Sequence, residues 1–532
     1  MRSPSFFLTR ICGVTNGYRS ALLVGALSLV IVSTAGAEAS RVPISLDEAI
    51  ALAIQNSLDL EVARFGPEIA REERLGAWGE YDPEFVADLG YEKREEPNTF
   101  SLNAISKLQD RTIDGGVGLE ALVPYLGARV GVEFDSGRTQ TNSILEGFTP
   151  RYDSGAFLTA SIPLAKDLIW NRPWTEVKLG ALREESAIER LRGEVMDVIE
   201  DVVVAYWALH AREAERAVAV ESLATAEALL VQMEERFEIG TGSQVEVFEA
   251  RAGAAERRLE FVESDGAYEA AVDVLSRILL GAEFSDAADW AFLPTDDPTL
   301  DVSDVEDFAE DLPVALQSRP SIRLARHAIE DREVELRFAR NQRLPRFDVD
   351  VRYGFVGVSG KNNPRVSTLP IAVEPSPALR GGYGDSYDDL FSDSGAENLE
   401  VRGSFSIPIP NTQARRAVRR DEFRLRRAES ARVRAREEVA FELREAVRAV
   451  RTALESIAAA EERVVAAGEQ YRAESVRLEH GESKPFDVLL RERDWVSAIG
   501  RKIVAFEQYR RARARHARAR GTVLGDFGVQ LE

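Results

Sequence analysis

The stretch Arg346-Phe347-Asp348-Val349-Asp350-Val351-Arg352-Tyr353-Gly354-Phe355 decides the fold. Apolar and polar residues alternate through it. Side chains alternate along a strand, so Phe347, Val349, Val351, Tyr353 and Phe355 share one face and Arg346, Asp348, Asp350 and Arg352 the other. A return segment repeats the pattern, with Leu399, Val401, Phe405, Ile407 and Ile409 opposed to Glu400, Arg402, Ser404 and Ser406. Strands of ~10 residues patterned in this way suit either a half-buried sheet of a soluble protein or the wall of a transmembrane barrel.

The surrounding text is written twice. Gln55 to Tyr91 aligns without a gap with Gln317 to Tyr353, pairing Pro83 with Pro345 and Phe85 with Phe347. Ser161-Ile162-Pro163-Leu164 then answers Ser406-Ile407-Pro408-Ile409, and Arg236, Gly240, Glu246 and Val247 answer Arg477, Gly481, Asp487 and Val488. Shared order with different loop lengths is the mark of a duplication. Each copy has the order helix, strand, loop, strand, long helix, break, helix. The expected first repeat, 38–280, has a helix at 45–78, strands at about 83–91 and 156–164, a long helix at 172–239 and a return helix at 243–280. The second, 313–521, has a helix at 313–344, strands at 346–355 and 399–409, a long helix at 411–480 and a return helix at 484–520. Ser45 with Glu48 forms a capping box for the opening helix, and prolines 83 and 345 end the corresponding helices. Extra β-like text at 115–135 leaves open whether a further hairpin joins the wall or sits in a loop. The segment 281–312 is an acidic linker expected to present a solvated face, and 522–532 is a tail.

The helix from Asn171 runs about 65 residues without a break, a rod of roughly 100 Å at ~1.5 Å per residue. Ile188, Leu191, Val195, Val198, Val202, Ala205 and Leu209 recur at spacings of three and four, as in a coiled-coil seam. Ile199, Val203 and Tyr206 form a second stripe, so the rod can pack on two sides. Ile239-Gly240-Thr241-Gly242-Ser243 and His480-Gly481-Glu482-Ser483 turn the two long helices back on themselves.

The chain has 532 residues, a net charge of -23 and one cysteine. Such acidity argues against nucleic acid as a partner. Arg2, Arg10 and Arg19, the apolar run Ala21 to Val32 and the small residues Ala35-Gly36-Ala37 read as a signal peptide over 1–37. Its removal would take away Cys12 and three arginines but no acid, leaving a charge of -26 and no thiol chemistry. No other run of ~18 apolar residues exists to span a membrane as a helix. The histidines His210, His327, His480 and His516 are scattered, and neither a metal-ligand spacing nor a catalytic triad, phosphate loop or dinucleotide motif is present. No cofactor, metal or catalytic residue is therefore expected. Asp385, Asp388, Asp389 and Asp393 match no calcium-loop spacing, and the Arg511 to Arg520 run reads as a solvated helix face.

Taken in chain order and as a duplication, the segments ISLDEAIALAIQNSLDLEVAR (44–64), RFEIGTGSQVEVFEARA (236–252), ALQSRPSIRLARHAIEDREVELRFARNQRLPRFDVDVRYG (315–354), SIPIPNTQARRAVRRDEF (406–423) and RLEHGESKPFDVLLRER (477–493) resemble the TolC-like outer-membrane efflux protein family over nearly the whole chain. The resemblance implies a mainly α fold with β. It implies a homotrimer with four strands per chain, a transmembrane β-barrel of twelve, and a long α-helical barrel in the periplasm. It also implies an outer-membrane exit channel of a tripartite efflux or type I secretion system, which catalyses nothing. Its partners would be a periplasmic adaptor and an inner-membrane transporter, with outer-membrane lipid against Phe347, Val349, Val351, Tyr353, Val401, Phe405 and Ile407. Adaptors would dock at Gly240, Thr241, Gly242, Gly481, Glu482 and Ser483. Glu246 and Asp487 match acidic positions of the family's periplasmic gate, while a further gate acid falls at Leu490 and the gate's tether at Leu478 and Ser483. The rival reading is a periplasmic adaptor or coiled-coil scaffold without a pore. An acidic lumen would predict a preference for cations.

Overall fold

A computed structural model describes residues 40–97, 106–285, 290–297, 307–366, 376–390, 392 and 395–529. The signal peptide and Asp393 lie outside them. In chain order the elements are β1 (Ser40–Ile44), α1 (Leu46–Asn56), α2 (Leu58–Trp78), β2 (Glu84–Pro97), β3 (Lys107–Leu122), β4 (Arg129–Thr141) and β5 (Phe148–Pro163). Then come α3 (Arg172–Glu238), α4 (Gln244–Leu280), β6 (Trp290–Pro294), α5 (Phe308–Ser318), α6 (Pro320–Gln342) and β7 (Arg346–Asn362). The last are α7 (Tyr383–Leu390), β8 (Ala396–Ser406), α8 (Thr412–Glu479), α9 (Pro485–Arg520) and α10 (Val523–Asp526). They divide into two units. One comprises the described residues up to Glu68, Glu185–Arg326 and those from Ser430 onward; the other comprises Ile69–Glu184 and His327–Glu429.

The first unit is helical. The expected capping box forms: Ser45 Oγ accepts from the Glu48 amide, and the Glu48 carboxylate accepts from the Ser45 amide at 3.0 Å. These bonds from Ser45 hold the Glu48 carboxyl below its ordinary range. From Val195 onward both stripes of α3 enter the core, with Val195, Val202 and Leu209 buried on one and Ile199, Val203 and Tyr206 on the other, while Ile188 at the start of the first stripe is exposed. They pack with Ile50 and Ala53 of α1, Leu275 and Leu279 of α4, and Phe292 of β6 in one apolar core.

Two expected helices are broken. Ser57 is extended, its amide closes α1 on the Ala53 carbonyl, and its Oγ accepts from the Leu60 amide at 3.3 Å to start α2. Arg319 is extended before Pro320, because a proline disfavours helical geometry in the residue it follows. The acidic linker also departs from a solvated face. Its β6 pairs in parallel with β1, from Ser40↔Trp290 to Ile44↔Pro294. Asp311 is buried between His516 Nε2 at 2.8 Å and Arg520 Nε at 3.0 Å.

The second unit holds a six-stranded sheet in the order β2-β3-β4-β5-β7-β8, antiparallel throughout. This corrects the expected four strands per chain. The text at 115–135 supplies β3 and β4, and both belong to the sheet. Their registers are unbroken, from Glu84↔Glu120 to Pro97↔Lys107 on one side and from Arg129↔Ser161 to Thr139↔Arg151 on the other. The physical reason is that the period-two pattern continues through them, with glycines 115, 116, 118 and 131 standing at close-packed points. Strands β5 and β7 run longer than expected, β5 beginning at Phe148 and β7 reaching Asn362, whereas β8 keeps its expected length but lies three residues earlier, ending at Ser406. After β7 the chain folds back as α7 onto β5 and β7. Gly357 permits this, since a Cβ there would lie 2.1 Å from the Ser386 carbonyl oxygen. Asp389 accepts from the Val358 amide at 3.0 Å, so this acid serves the fold.

Tyr206 tests the helical core. Its hydroxyl donates to the Asp296 carboxylate and accepts from the Thr295 amide at 3.0 Å, tying β6 to α3. Burial, then Asp296, push the phenol pKa up to about 12. Tyr206→Phe should cost about 1–3 kcal/mol by leaving these buried groups unpaired. It is read as a lower denaturation midpoint in detergent, and an unchanged midpoint would remove the tie.

Candidate channel wall and helix hairpin tips

Strand alternation gives the sheet two chemically opposite faces. One carries Phe85, Leu89 and Tyr91 of β2, Val117 and Leu119 of β3, and Val130, Val132 and Phe134 of β4. It continues with Ala156, Leu158 and Ile162 of β5, Phe347, Val349, Val351, Tyr353 and Phe355 of β7, and Leu399, Val401 and Phe405 of β8. Many are unusually exposed for apolar side chains; Leu89 reaches 84% and Val401 62%. The band ends where Lys93, Glu95, Arg111 and Arg138 take the same face. About nine residues at ~3.3 Å each, tilted as barrel strands are, give a height near ~25 Å, the thickness of an outer-membrane apolar belt. Six of the seven residues expected at lipid lie on this face within β7 and β8. Phe347 faces Phe405 and Val351 faces Val401. Ile407 falls one residue past the end of β8. Sequence reading placed a strand at about 156–164 and left the place of the 115–135 text open, because glycines 115, 116, 118 and 131 leave gaps in its alternation.

The opposite face is charged. It carries Glu84, Asp88, Glu92, Glu96, Asp110, Asp114, Glu120, Glu133, Asp135, Asp153, Asp348, Asp350 and Glu400. Against these thirteen acids stand six arginines, Arg94, Arg129, Arg151, Arg346, Arg352 and Arg402, a balance of -7. A cavity of about 400 Å³ lies on this side, lined by residues of all six strands. On the same face Phe157 is buried over Gly155 and Gly354, where a Cβ would approach the ring to 2.5 and 2.8 Å. The Arg352 guanidinium stacks 3.4 Å from the ring centroid and is held by Asp135 at 2.7 Å and Glu133 at 3.3 Å. Phe157 is a large apolar side chain on this otherwise charged face that the strand text did not single out.

Both hairpin turns in the helical unit use a glycine in the left-handed region, Gly240 and Gly481, each at φ +76°. The Thr241 and Gly242 amides return to the Arg236 carbonyl at 2.8 and 2.9 Å, and the Glu482 amide returns to Arg477 at 2.8 Å. Glu246 is half-buried and closes a capping box with Ser243, accepting from its amide at 2.8 Å. Asp487 stands in the first turn of α9 behind Pro485. Ser483 donates to Glu474 of its own hairpin, and Leu478 is buried. Around the turns Ile239, Val245, Phe248 and Phe486 are exposed.

Higher in the helical unit a buried ion pair joins the two hairpins. Arg257 of α4 lies 3.3 Å from Glu492 of α9, both almost fully enclosed, and Ser222 of α3 donates to Glu492 at 2.6 Å. Burial opposes the Arg257 charge, but Glu260 and Glu492 hold its pKa above the ordinary arginine value. The two residues are 235 positions apart, so no local pattern announces the pair. The arginine run at 511–520 is partly consumed internally: Arg518 pairs with Glu200 at 3.1 Å and with Asp197. Among the described residues no helix is long and apolar enough to cross a membrane, and no cluster of His, Cys, Asp or Glu could hold a metal.

Several solved structures share the fold. One is a membrane protein from Pseudomonas aeruginosa, 16% identical, with a TM-score of 0.63 over 90% of this chain and 93% of that one. Another is the Campylobacter jejuni CmeC outer membrane channel, 16% identical, with a TM-score of 0.59 over 92% and 86%. The outer membrane protein VceC from Vibrio cholerae is 15% identical, with a TM-score of 0.60 over 90% and 96%. A comparison with curated protein sequences found no match. Residues 116–281, the later part of the first copy, and 312–522, the whole of the second, match the outer membrane efflux protein family. A wall with an apolar outer band and a charged inner face, carried with long helical hairpins on a duplicated chain, is thus that of an efflux channel of the outer membrane, and the chain belongs to the outer membrane efflux protein family.

Proposed function

We propose that three copies of this chain assemble into a passive exit duct, and that it carries solutes delivered by an inner-membrane transporter through a periplasmic adaptor. The observation that carries this reading is the sheet itself: one face is an apolar band of bilayer height and the other is charged. In this reading Phe347, Val349, Val351, Tyr353, Val401 and Phe405 meet lipid, and the chain catalyses no reaction. Adaptors bind at the hairpin tips, Gly240, Thr241, Gly242, Gly481, Glu482 and Ser483. The exposed Ile239, Val245, Phe248 and Phe486 support this, since apolar side chains clustered at a solvent-facing turn favour burial against a partner. Glu246 and Asp487 contribute negative charge at the periplasmic entrance, Glu246 doing so while it caps its own helix.

The acid excess on the inner face makes the duct cation-preferring. Planar-bilayer recordings under a salt gradient should give a reversal potential on the cation side; an anion-side value would refute the assignment. A charge ~10 Å from a permeating ion in water is worth about 0.4 kcal/mol. Glu133→Gln with Asp135→Asn should therefore lower the cation-to-anion permeability ratio roughly two- to fourfold, less at high salt. For the tips, Ile239→Asp with Phe486→Asp should weaken capture of the adaptor at least about tenfold, the cost of placing two charges in an apolar contact. Undiminished capture in a pull-down would move the docking surface elsewhere.

A further inference from the structure

The sheet ends in two open edges, β2 and β8. All 11 residues of β8 are exposed, and 13 of the 14 in β2. Open strands of this length are templates for pairing with another chain, and a backbone left unpaired in hydrocarbon is not tolerated. The sheet is antiparallel with an even number of strands, so β2 and β8 run in opposite directions. The β8 strand of one copy can therefore pair antiparallel with β2 of the next, keeping apolar residues outside and charges inside on both.

The helical turns beside the two edges have complementary chemistry. Below β8, the first turns of α8 present Arg416, Arg419 and Arg427 around an exposed Phe423. Before β2, Glu72 and Glu73 stand one turn from an exposed Ile69, and an exposed Glu80 lies in the turn that follows the helix. Neither set forms ion pairs with other described residues, although nearby Arg420 and Arg424 share Asp421. A head-to-tail contact between copies brings the unpaired arginines to the unpaired acids.

We propose that this seam, repeated between three copies, closes a transmembrane wall of eighteen strands instead of the twelve the family resemblance implies. The proposal rests on the trimeric reading above and adds to it the membership of β3 and β4 in the wall. Barrel diameter grows roughly linearly with strand number, so the bore is about one and a half times as wide as that of a twelve-stranded wall. It admits correspondingly broader cargo through the membrane.

The test uses the full chain with Cys12→Ser, reconstituted in lipid. Oxidation of Val401→Cys paired in turn with Phe85→Cys, Ala87→Cys and Leu89→Cys reads the seam, and one pair should yield covalent oligomers up to the trimer. Fluorophores on Leu119→Cys and on Val132→Cys should be quenched by brominated acyl chains. Neutral polymers graded by size and added only on the barrel side should enter the barrel, read as a drop in conductance, up to a radius about 1.5-fold that of a twelve-stranded channel measured alongside. Cross-linked trimers with Leu119 and Val132 sites unquenched and a twelve-stranded cut-off would overturn the eighteen-stranded wall and leave the trimer standing. A monomer that gives no cross-link with any pair would overturn both.

Discussion

The requirement that every backbone amide and carbonyl in a bilayer be paired within the protein governs this molecule. It explains why the chain meets the membrane through strands, although most of its length is helix, and why those strands are long and keep their register through the apolar band. The side chains are then free to divide by parity. Through the middle of the β7–β8 pair the odd positions Phe347, Val349, Val351, Tyr353, Leu399, Val401 and Phe405 are apolar while the even positions Asp348, Asp350, Arg352, Glu400 and Arg402 are charged, so one set of hydrogen bonds supports two incompatible environments on opposite faces of one sheet.

The helical unit answers a different demand. A rod of 67 residues such as α3 has little hydrophobic surface per turn, and one stripe would leave most of it wet. Two stripes let it be held on two sides, and the first-repeat core is built on both. Where apolar contact thins, buried polar groups take over. Arg257 and Glu492 join hairpins from different repeats, and Asp311 ties α5 to α9 through His516 and Arg520. Such groups are costly to enclose singly and specific when paired, so they set which helix lies beside which.

Much of this was legible in the text. The duplication, the strand parity at 346–355, both long rods and both glycine turns are local or periodic signals, and each stands in the structure. The membership of β3 and β4 was not, because glycines 115, 116 and 118 blank the alternation where a reader needs it, while the backbone pairs regardless. The breaks at Ser57 and Arg319 turn on one residue's dihedral angles, below the resolution of a helical period. The linker's strand was hidden by its acids, since β6 is held by a parallel partner 250 residues away. The buried ion pair had no signal at all, being a property of packing alone.

Phe157 has a mechanical consequence. Its ring lies flat only because residues 155 and 354 lack side chains, and Arg352 presses it there like a leaf under a weight. A methyl group at 155 would strike the ring and tip the leaf away from the wall, while one at 354 would also strike the Ala156 carbonyl oxygen at 2.0 Å and push the two strands apart. Two hydrogen atoms in each copy therefore keep the conduit smooth at that height.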